Sequence, residues 1–376
     1  PVARPEGPPV WARLLLTLST GHRALGPKTL STLVDSPHLL NVSRLHLNYK
    51  NHIGDEGAEI LAHSQMKHLT HLSLESNDLG PKGACAIAGS PQMNHLTHLL
   101  LGNNKVGPDG AIALAQSPHL QSLEYLTLGY NGIGVEGARA IAGSSHMGNL
   151  VCLDLGSNQV TGAGVKAIAQ SVHMKALTHL NLNGNYRIGT DAACILAHSP
   201  HMQNLAHLYL GSCYIGNAGV MAIAGSPHMR HLTHLGLGRS DLEGAEGVIA
   251  LAESPQMKNL TYLDLRGDRD KNHIGDAGVE ALARSPHMSQ LRFLHLESTH
   301  CGDGAAIAIA NSPHMSHLEE LIIGYNHITD KGALALAQSP YLTQLKSLYI
   351  YENEIGPTGI EALMTTFEER DCAVSP

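Results

Sequence analysis

The 376-residue chain is 43% hydrophobic but only 4% aromatic, so its core must be aliphatic. Its 32 acidic and 24 basic side chains leave a formal charge of −8, which argues against nucleic acid as a partner because phosphate backbones select a basic footprint. No run of about 18 apolar residues occurs, so no membrane span is expected.

The chain opens at Pro1 rather than Met, and further residues are expected to precede it. The stretch WARLLLTLSTGHRAL (11–25) has the apolar middle of a signal peptide, but His22 and Arg23 follow at once and the chain then enters a periodic pattern. It reads as the first structural turn. Residues 1–41, with Trp11, are expected to form an N-terminal cap and a degenerate first repeat.

From 42 to 355 the pattern is a repeat. A leucine recurs at 45, 72, 99, 126, 153, 180, 208, 235, 263, 294, 321 and 348, with eight of eleven spacings equal to 27 residues and the others 28, 28 and 31. Residues 69–95, LTHLSLESNDLGPKGACAIAGSPQMNH, are a clean copy. Alternation places Leu72 and Leu74 on one face of a short strand. Asn77 falls where the chain turns, and the column Asn104, Asn131, Asn158, Asn185, Asn326 and Asn353 predicts a ladder of such residues, with Cys213 once in its place. Gly80-Pro81 opens a helix, GACAIA forms it from small residues, and Ser90-Pro91 ends it. A Met or Leu column starting at Met66 and Met93 reads as flexible core filler. Residues 356–376 are expected to be a capping helix and tail.

This pattern resembles the leucine-rich repeat family, in its ribonuclease-inhibitor-like class, and its G-x-x-G-A-x-A-L-A flavour is similar to bacterial GALA-type tandem arrays. The resemblance covers about residues 42–364. It implies an α/β solenoid of about twelve repeats, with a parallel sheet on a concave face and short helices on a convex one. Strands stack ~4.8 Å apart and helices ~8–10 Å apart, so the array should curve by roughly 20–25° per repeat into a horseshoe.

Strand residues flanking the core leucines then line the concave face. One column carries the histidine of L-T-H-L, including His71 and His98, and His179, His207 and His234 on three consecutive strands. Three readings of that ladder stay open: drift of a duplicated unit, a partner surface using amphipathic rings, or a three-imidazole metal site. The C-terminal half adds Tyr209, Arg239, Tyr262, Asp264, Arg266, Phe293, His295, Tyr325, Tyr349 and Tyr351, with Glu297 and Ile322 beside them. Tyr and Arg dominate interface hot spots, so the first ten of these residues, without Glu297 and Ile322, form the candidate partner-binding set with the three histidines His179, His207 and His234. The histidines of S-P-H, such as His119, His201 and His228, are expected to meet helix C-terminal carbonyls.

No nucleophile elbow, P-loop, HExxH or dinucleotide fingerprint appears, so neither enzyme chemistry nor a cofactor is expected, and no metal ligand is assigned. RGDRDKNHIG (266–275) carries the 31-residue spacing and is a candidate contact loop, while its Arg-Gly-Asp is read as chance. Six cysteines without a CxxC are read as free thiols in a reducing, cytoplasmic setting, with secretion into a host cell as an effector the alternative. The expected function is a monomeric, non-catalytic scaffold for a protein partner. The alternatives are an effector or GTPase-regulator-like module acting through binding, and a metal-binding module.

Overall fold

The computed structural model describes residues 15–17, 25–36, 39–49, 51–268 and 271–375. Trp11 and His38 lie outside them, as do Arg269 and Asp270 of the insertion. The chain divides into two compact units, one taking the described residues of Pro1–Val160 and Ser171–Leu177, the other those of Thr161–Gln170 and Thr178–Pro376.

In the first unit, strands β1 (Leu15–Thr17), β2 (Arg44–His46), β3 (His71–Ser73), β4 (His98–Leu100), β5 (Tyr125–Thr127) and β6 (Cys152–Asp154) pair in parallel in sequence order. Helices α1 (Gly26–Val34), α2 (Gly54–His63), α3 (Pro81–Gly89), α4 (Gly107–Gln116) and α5 (Gly134–Gly143) cover one face. The second unit repeats the plan with α6 (Gly162–Gln170), β7 (His179–Asn181), α7 (Gly189–Ala197), β8 (His207–Tyr209), α8 (Gly216–Gly225), β9 (His234–Gly236) and α9 (Glu246–Glu253). It continues through β10 (Tyr262–Asp264), α10 (Gly275–Arg284), β11 (Phe293–His295), α11 (Asp303–Ala310), β12 (Glu320–Ile322) and α12 (Asp330–Ala337). It ends with β13 (Ser347–Tyr349), α13 (Pro357–Glu368) and β14 (Ala373–Ser375). Strands β7 to β14 again pair in parallel in chain order.

Register follows the period. Leu72 pairs with Leu99 and Leu99 with Leu126, all fully buried, as are Leu208 and Leu235. The Met and Leu filler column is buried from Met66 to Leu342. Each helix buries a narrow stripe, such as Gly137, Ala138, Ile141 and Ala142 in α5. Glycine is required at 137, because an added Cβ would lie 2.9 Å from both Ala111 of α4 and Ile133. Small residues thus set the distance between successive helices. The tail after α13 does more than end the helix, since Ala373–Ser375 adds a strand beside β13.

The asparagine ladder is present and more varied than its sequence column. Asn104 Oδ1 accepts from the N–H groups of Asn77 (2.9 Å) and Leu79 (3.0 Å), and its Nδ2 donates to Leu74 O (2.9 Å) and Leu101 O (2.9 Å). In the second unit Cys213 is not the sole substitute. Ser240 Oγ donates to Leu210 O (3.1 Å) and Thr299 Oγ1 to Leu296 O (2.8 Å). The insertion rejoins the ladder through Asn272, whose Oδ1 accepts from Ser240 N–H (2.9 Å) and Leu242 N–H (3.1 Å).

A second ladder runs along the helix ends. Ser90 Oγ donates to Ala62 O and Ser117 Oγ to Ala88 O, both at 2.5 Å, and Ser226 Oγ to Ala197 O at the same distance. Each serine also accepts from the N–H two residues on, as Ser117 does from His119 (3.2 Å). The S-P-H histidines therefore contribute their backbone, in place of the expected ring contact with helix carbonyls. Among the described residues, rings that do meet such carbonyls include His63, on Glu59 O (2.8 Å), and His198, on Cys194 O (2.7 Å).

Candidate functional site

The sheet face turned away from the helices carries the aromatic column in both units. Because strand pairing is in register, equivalent side chains fall directly over one another. In the second unit five rings form one continuous stack. His179 lies 3.9 Å from His207, His207 3.9 Å from His234, His234 5.5 Å from Tyr262 and Tyr262 4.3 Å from Phe293, with interplanar angles from 6° to 19°. The first unit has a shorter stack, His71 to His98 at 3.9 Å and His98 to Tyr125 at 4.1 Å.

The threonine of L-T-H-L orients the imidazole. Thr233 Oγ1 lies 2.9 Å from His234 Nδ1 and 3.2 Å from Ala206 O, which ties the ring to the neighbouring strand. Thr70 and Thr97 fix His71 and His98 in the same way. His179 Nδ1 lies 2.7 Å from Thr178 Oγ1, whereas His207 follows Ala206 and lacks this contact.

Burial in the stack disfavours the charged ring. It lowers the pKa of His207 to about 4, with the neighbouring His234 and His179 adding to the effect. Burial likewise lowers His179, and lowers His234 with help from His179. His71 is also lowered to about 4, by burial and then by His98, Arg44 and His46. Burial and the Asp264 charge push the Tyr262 phenol up to about 12. The stack is therefore uncharged at neutral pH. Face-to-face imidazoles also direct their nitrogens side by side, and among the described residues no group of three or more His, Cys, Asp or Glu side chains is disposed to hold a metal ion.

Beside the stack lies a polar network. His295 is 7% exposed, with Nε2 3.2 Å from Glu297 Oε2 and Nδ1 3.6 Å from Asp264 Oδ1. Tyr351 Oη donates to Glu297 Oε2 (3.0 Å), and Arg266 Nε lies 3.5 Å from Asp264 Oδ2. Burial, then this bond and the Glu297 charge, raise Tyr351 to about 12. His295 and Asp264 are thus buried under their neighbours, which leaves little of either open to a partner. Glu297, outside the candidate set, is the joint between His295 and Tyr351. Its place beside Arg266 in the third strand column was the available signal.

Large side chains of this face lie over glycines of the preceding or following repeat. An added Cβ at Gly236 would meet Tyr209 at 2.7 Å, at Gly324 Tyr351 at 2.7 Å, and at Gly238 Arg266 at 2.8 Å. Tyr209 also meets Tyr262 edge-on at 6.3 Å. Tyr349 is half-buried on β13. Arg239 and Tyr325 fall outside the strands, in turns at φ +55° and +53°, where Tyr325 meets Tyr351 edge-on at 5.4 Å.

The insertion is tied down on the side described. Asp268 pairs with Arg239 (3.6 Å), Lys271 pairs with Asp241, and Lys271 Nζ lies 4.8 Å above the Tyr214 ring. Arg266 and Asp268 are thus both engaged by other side chains, which does not present Arg-Gly-Asp as a free tripeptide. The six cysteines are free thiols, with Cys85 exposed and Cys213, Cys301 and Cys372 buried. Among the described residues no helix is long and apolar enough to cross a membrane.

With this geometry in place, the chain can be set against known proteins. No curated protein matches its sequence. In structure it is similar to an internalin (inlF) from Listeria monocytogenes, with TM-score 0.53 and 15% identity over 93% of each chain. It is also similar to yeast Rad7, solved in complex with Elc1, with TM-score 0.61 and 16% identity over 89% of this chain and 81% of that one. A sequence profile described as Leucine Rich repeat matches residues 65–88, 92–115, 119–142, 146–169, 201–224, 256–283, 314–337 and 341–364. Those segments span more than half of the sequence and fall on the strand-helix units, so the chain belongs to the leucine-rich repeat family.

Proposed function

We propose that the protein is a non-catalytic scaffold, acting as a single chain, that binds another protein on the concave, helix-free sheet face of its second unit, between His179 and Tyr351. The observation that carries this reading is the five-ring stack from His179 to Phe293. Stacked rings are rigid and lose little conformational entropy when covered, and aromatic and arginine side chains anchor interfaces. Tyr209, Arg266, Tyr349 and Tyr351 extend the surface around them, while His295 and Asp264 support it from below. Rad7, which shares the fold, was solved in complex with Elc1, and a binding scaffold is in keeping with that.

The test is capture of interacting proteins from a lysate by the full chain and by a Tyr262→Ala/Phe293→Ala double variant, followed by mass spectrometry. The variant should keep the parent's circular dichroism and lose the main captured protein. Capture of that protein at the parent's yield moves the binding surface elsewhere.

A further inference from the structure

The first unit has a dip in its helix-free sheet face. Gly102 and Gly129 follow β4 and β5 and lie side by side, with Asn103 N–H donating to Gly129 O (2.7 Å). Without side chains they form the floor of a cavity of about 260 Å³. Two carboxylates lean over that floor from opposite sides. An added Cβ would lie 3.1 Å from Glu75 Oε1 at Gly102 and 3.4 Å from Asp154 Oδ1 at Gly129. Asn48 Nδ2 donates to Glu75 Oε2 (3.3 Å) and Gly156 N–H to Asp154 Oδ1 (2.8 Å), which holds both groups in place. Burial, then the Asp154 charge, raises the Glu75 carboxyl above its ordinary value, with His46 opposing the shift. The exposed rings of Tyr49 and Tyr130 border the cavity, and among the described residues no lysine, arginine or histidine lines it. Thr127 also borders it, and its buried Oγ1 has no hydrogen-bond partner among the described residues.

The second unit contains the same dip with an occupant of its own. Gly238, Asp264 and Arg266 hold the repeat positions of Gly129, Asp154 and Gly156. Asp264 leans over Gly238 as Asp154 leans over Gly129, with Oδ1 3.3 Å from an added Cβ. It also accepts from Arg266 N–H (3.0 Å), as Asp154 accepts from Gly156 N–H. The Arg266 side chain lies across the glycine, with Nε 3.0 Å from that added Cβ and 3.5 Å from Asp264 Oδ2. In the first unit, Gly156 has no side chain to place there. A second carboxylate, Glu75, stands where the second unit has the neutral Asn183.

We propose that the first-unit cavity takes a guanidinium group from outside the chain, lying over Gly129 as Arg266 lies over Gly238, bonded by Asp154 and Glu75 and flanked by Tyr130 and Tyr49. This site is separate from the second-unit binding face and does not rest on it. A guanidinium is planar, presents N–H donors along several edges and stacks on aromatic rings, so it complements two carboxylates and two phenol rings at once. An anion would be set against both carboxylates. A metal ion is the poorer match, since among the described residues no group of three or more His, Cys, Asp or Glu side chains is disposed to hold one.

The experiment titrates the full chain at pH 7.5 with agmatine, with a capped Gly-Arg-Gly peptide and with the same peptide carrying citrulline, the neutral isostere of arginine. The readout is the amide NMR shifts of Gly102 and Gly129. The arginine peptide should bind at least about tenfold tighter than the citrulline peptide and weaken as salt rises. Binding of agmatine alone assigns the site to a free guanidine, and binding of the arginine peptide assigns it to a protein side chain. Glu75→Gln and Asp154→Asn, which remove charge with little change in shape, should each weaken binding several-fold. Gly156→Arg supplies the missing side chain from within the chain and should abolish binding while keeping the parent's circular dichroism. Equal binding of the arginine and citrulline peptides, or binding by Gly156→Arg at the parent's level, overturns the proposal. If Gly156→Arg does not fold, binding that survives Asp154→Asn undiminished overturns it instead.

Discussion

Tyr262 and Phe293 lie face to face, 4.3 Å apart and 6° from parallel, across the one repeat that carries the 31-residue spacing. The insertion leaves the strand register untouched, because Tyr262, Leu263 and Asp264 still pair with Phe293, Leu294 and His295. Its extra residues are taken up between Arg266 and Asn272, and Asn272 restores the ladder. Stacking of this kind contributes about 0.5–1.5 kcal/mol beyond burial. Tyr262→Ala should destabilise the protein by at least about 0.5–1.5 kcal/mol in chemical denaturation, with lost burial added to lost stacking, and Phe293→Ala made on top of it should cost less than it does alone. Strict additivity of the two in a double-mutant cycle would show that the rings do not interact.

Leu153 is fully buried in the first unit, paired with Leu126. Leu153→Ala should destabilise the protein by about 2–5 kcal/mol, through lost transfer energy and a residual cavity. Chemical denaturation reads this directly, and an unchanged midpoint contradicts the burial.

Asn131 holds two repeats together by donating from Nδ2 to Leu101 O (2.8 Å) and Leu128 O (3.0 Å) and accepting from Val106 N–H (3.1 Å). Asn131→Ala leaves the buried Val106 N–H unpaired, while Leu101 O and Leu128 O keep the Nδ2 groups of Asn104 and Asn158, and it should cost about 1–3 kcal/mol. Faster amide exchange at Val106 should accompany the loss, and protection equal to the parent's would mean that the backbone finds another partner.

Asp303 caps the next helix from the repeat before it, accepting from the N–H groups of Thr329 and Gly332 at 2.9 Å and from Thr329 Oγ1 at 2.7 Å. Burial alone would raise its pKa, but these bonds outweigh burial and hold it below the usual carboxylate value. A carboxylate lowered in the folded state contributes stability above its unfolded pKa of about 3.9, and that contribution is lost as pH falls through the lower folded value. Asp303→Ala should cost about 0.5–2 kcal/mol at pH 7, and that cost should shrink as pH falls below the unfolded value. A cost that does not change over that range would rule out the ionised cap.

His207 has the opposite charge type and a lowered pKa, about 4 against the ordinary 6.5. The unfolded chain therefore takes up this proton first, and stability falls as pH drops from about 6.5 towards 4. Burial in the stack resists protonation, so this face gains charge only well below the ordinary imidazole value. His207→Gln should flatten that part of the stability profile. Carbon-13 or proton NMR of the imidazole should place its midpoint near 4, and a midpoint at 6.5 would show that the ring is not held in the stack.

The period of the sequence determined most of the architecture. A leucine every 27 residues sets one strand per repeat, alternation decides which side chains face the helices, and constant register stacks the same column over itself. Those rules suffice to place His179, His207, His234, Tyr262 and Phe293 in one row and the methionines in the core. They do not decide which polar atoms meet. That His295 is sandwiched by Asp264 and Glu297, that Tyr351 reaches Glu297 from 54 residues away, and that Arg239 turns to Asp268 depend on side-chain directions across several strands. The serine ladder at the helix ends and the Asp303 cap escaped the sequence for the same reason. Each bond joins residues about one repeat apart in the chain, at a distance fixed only when the repeats pack together.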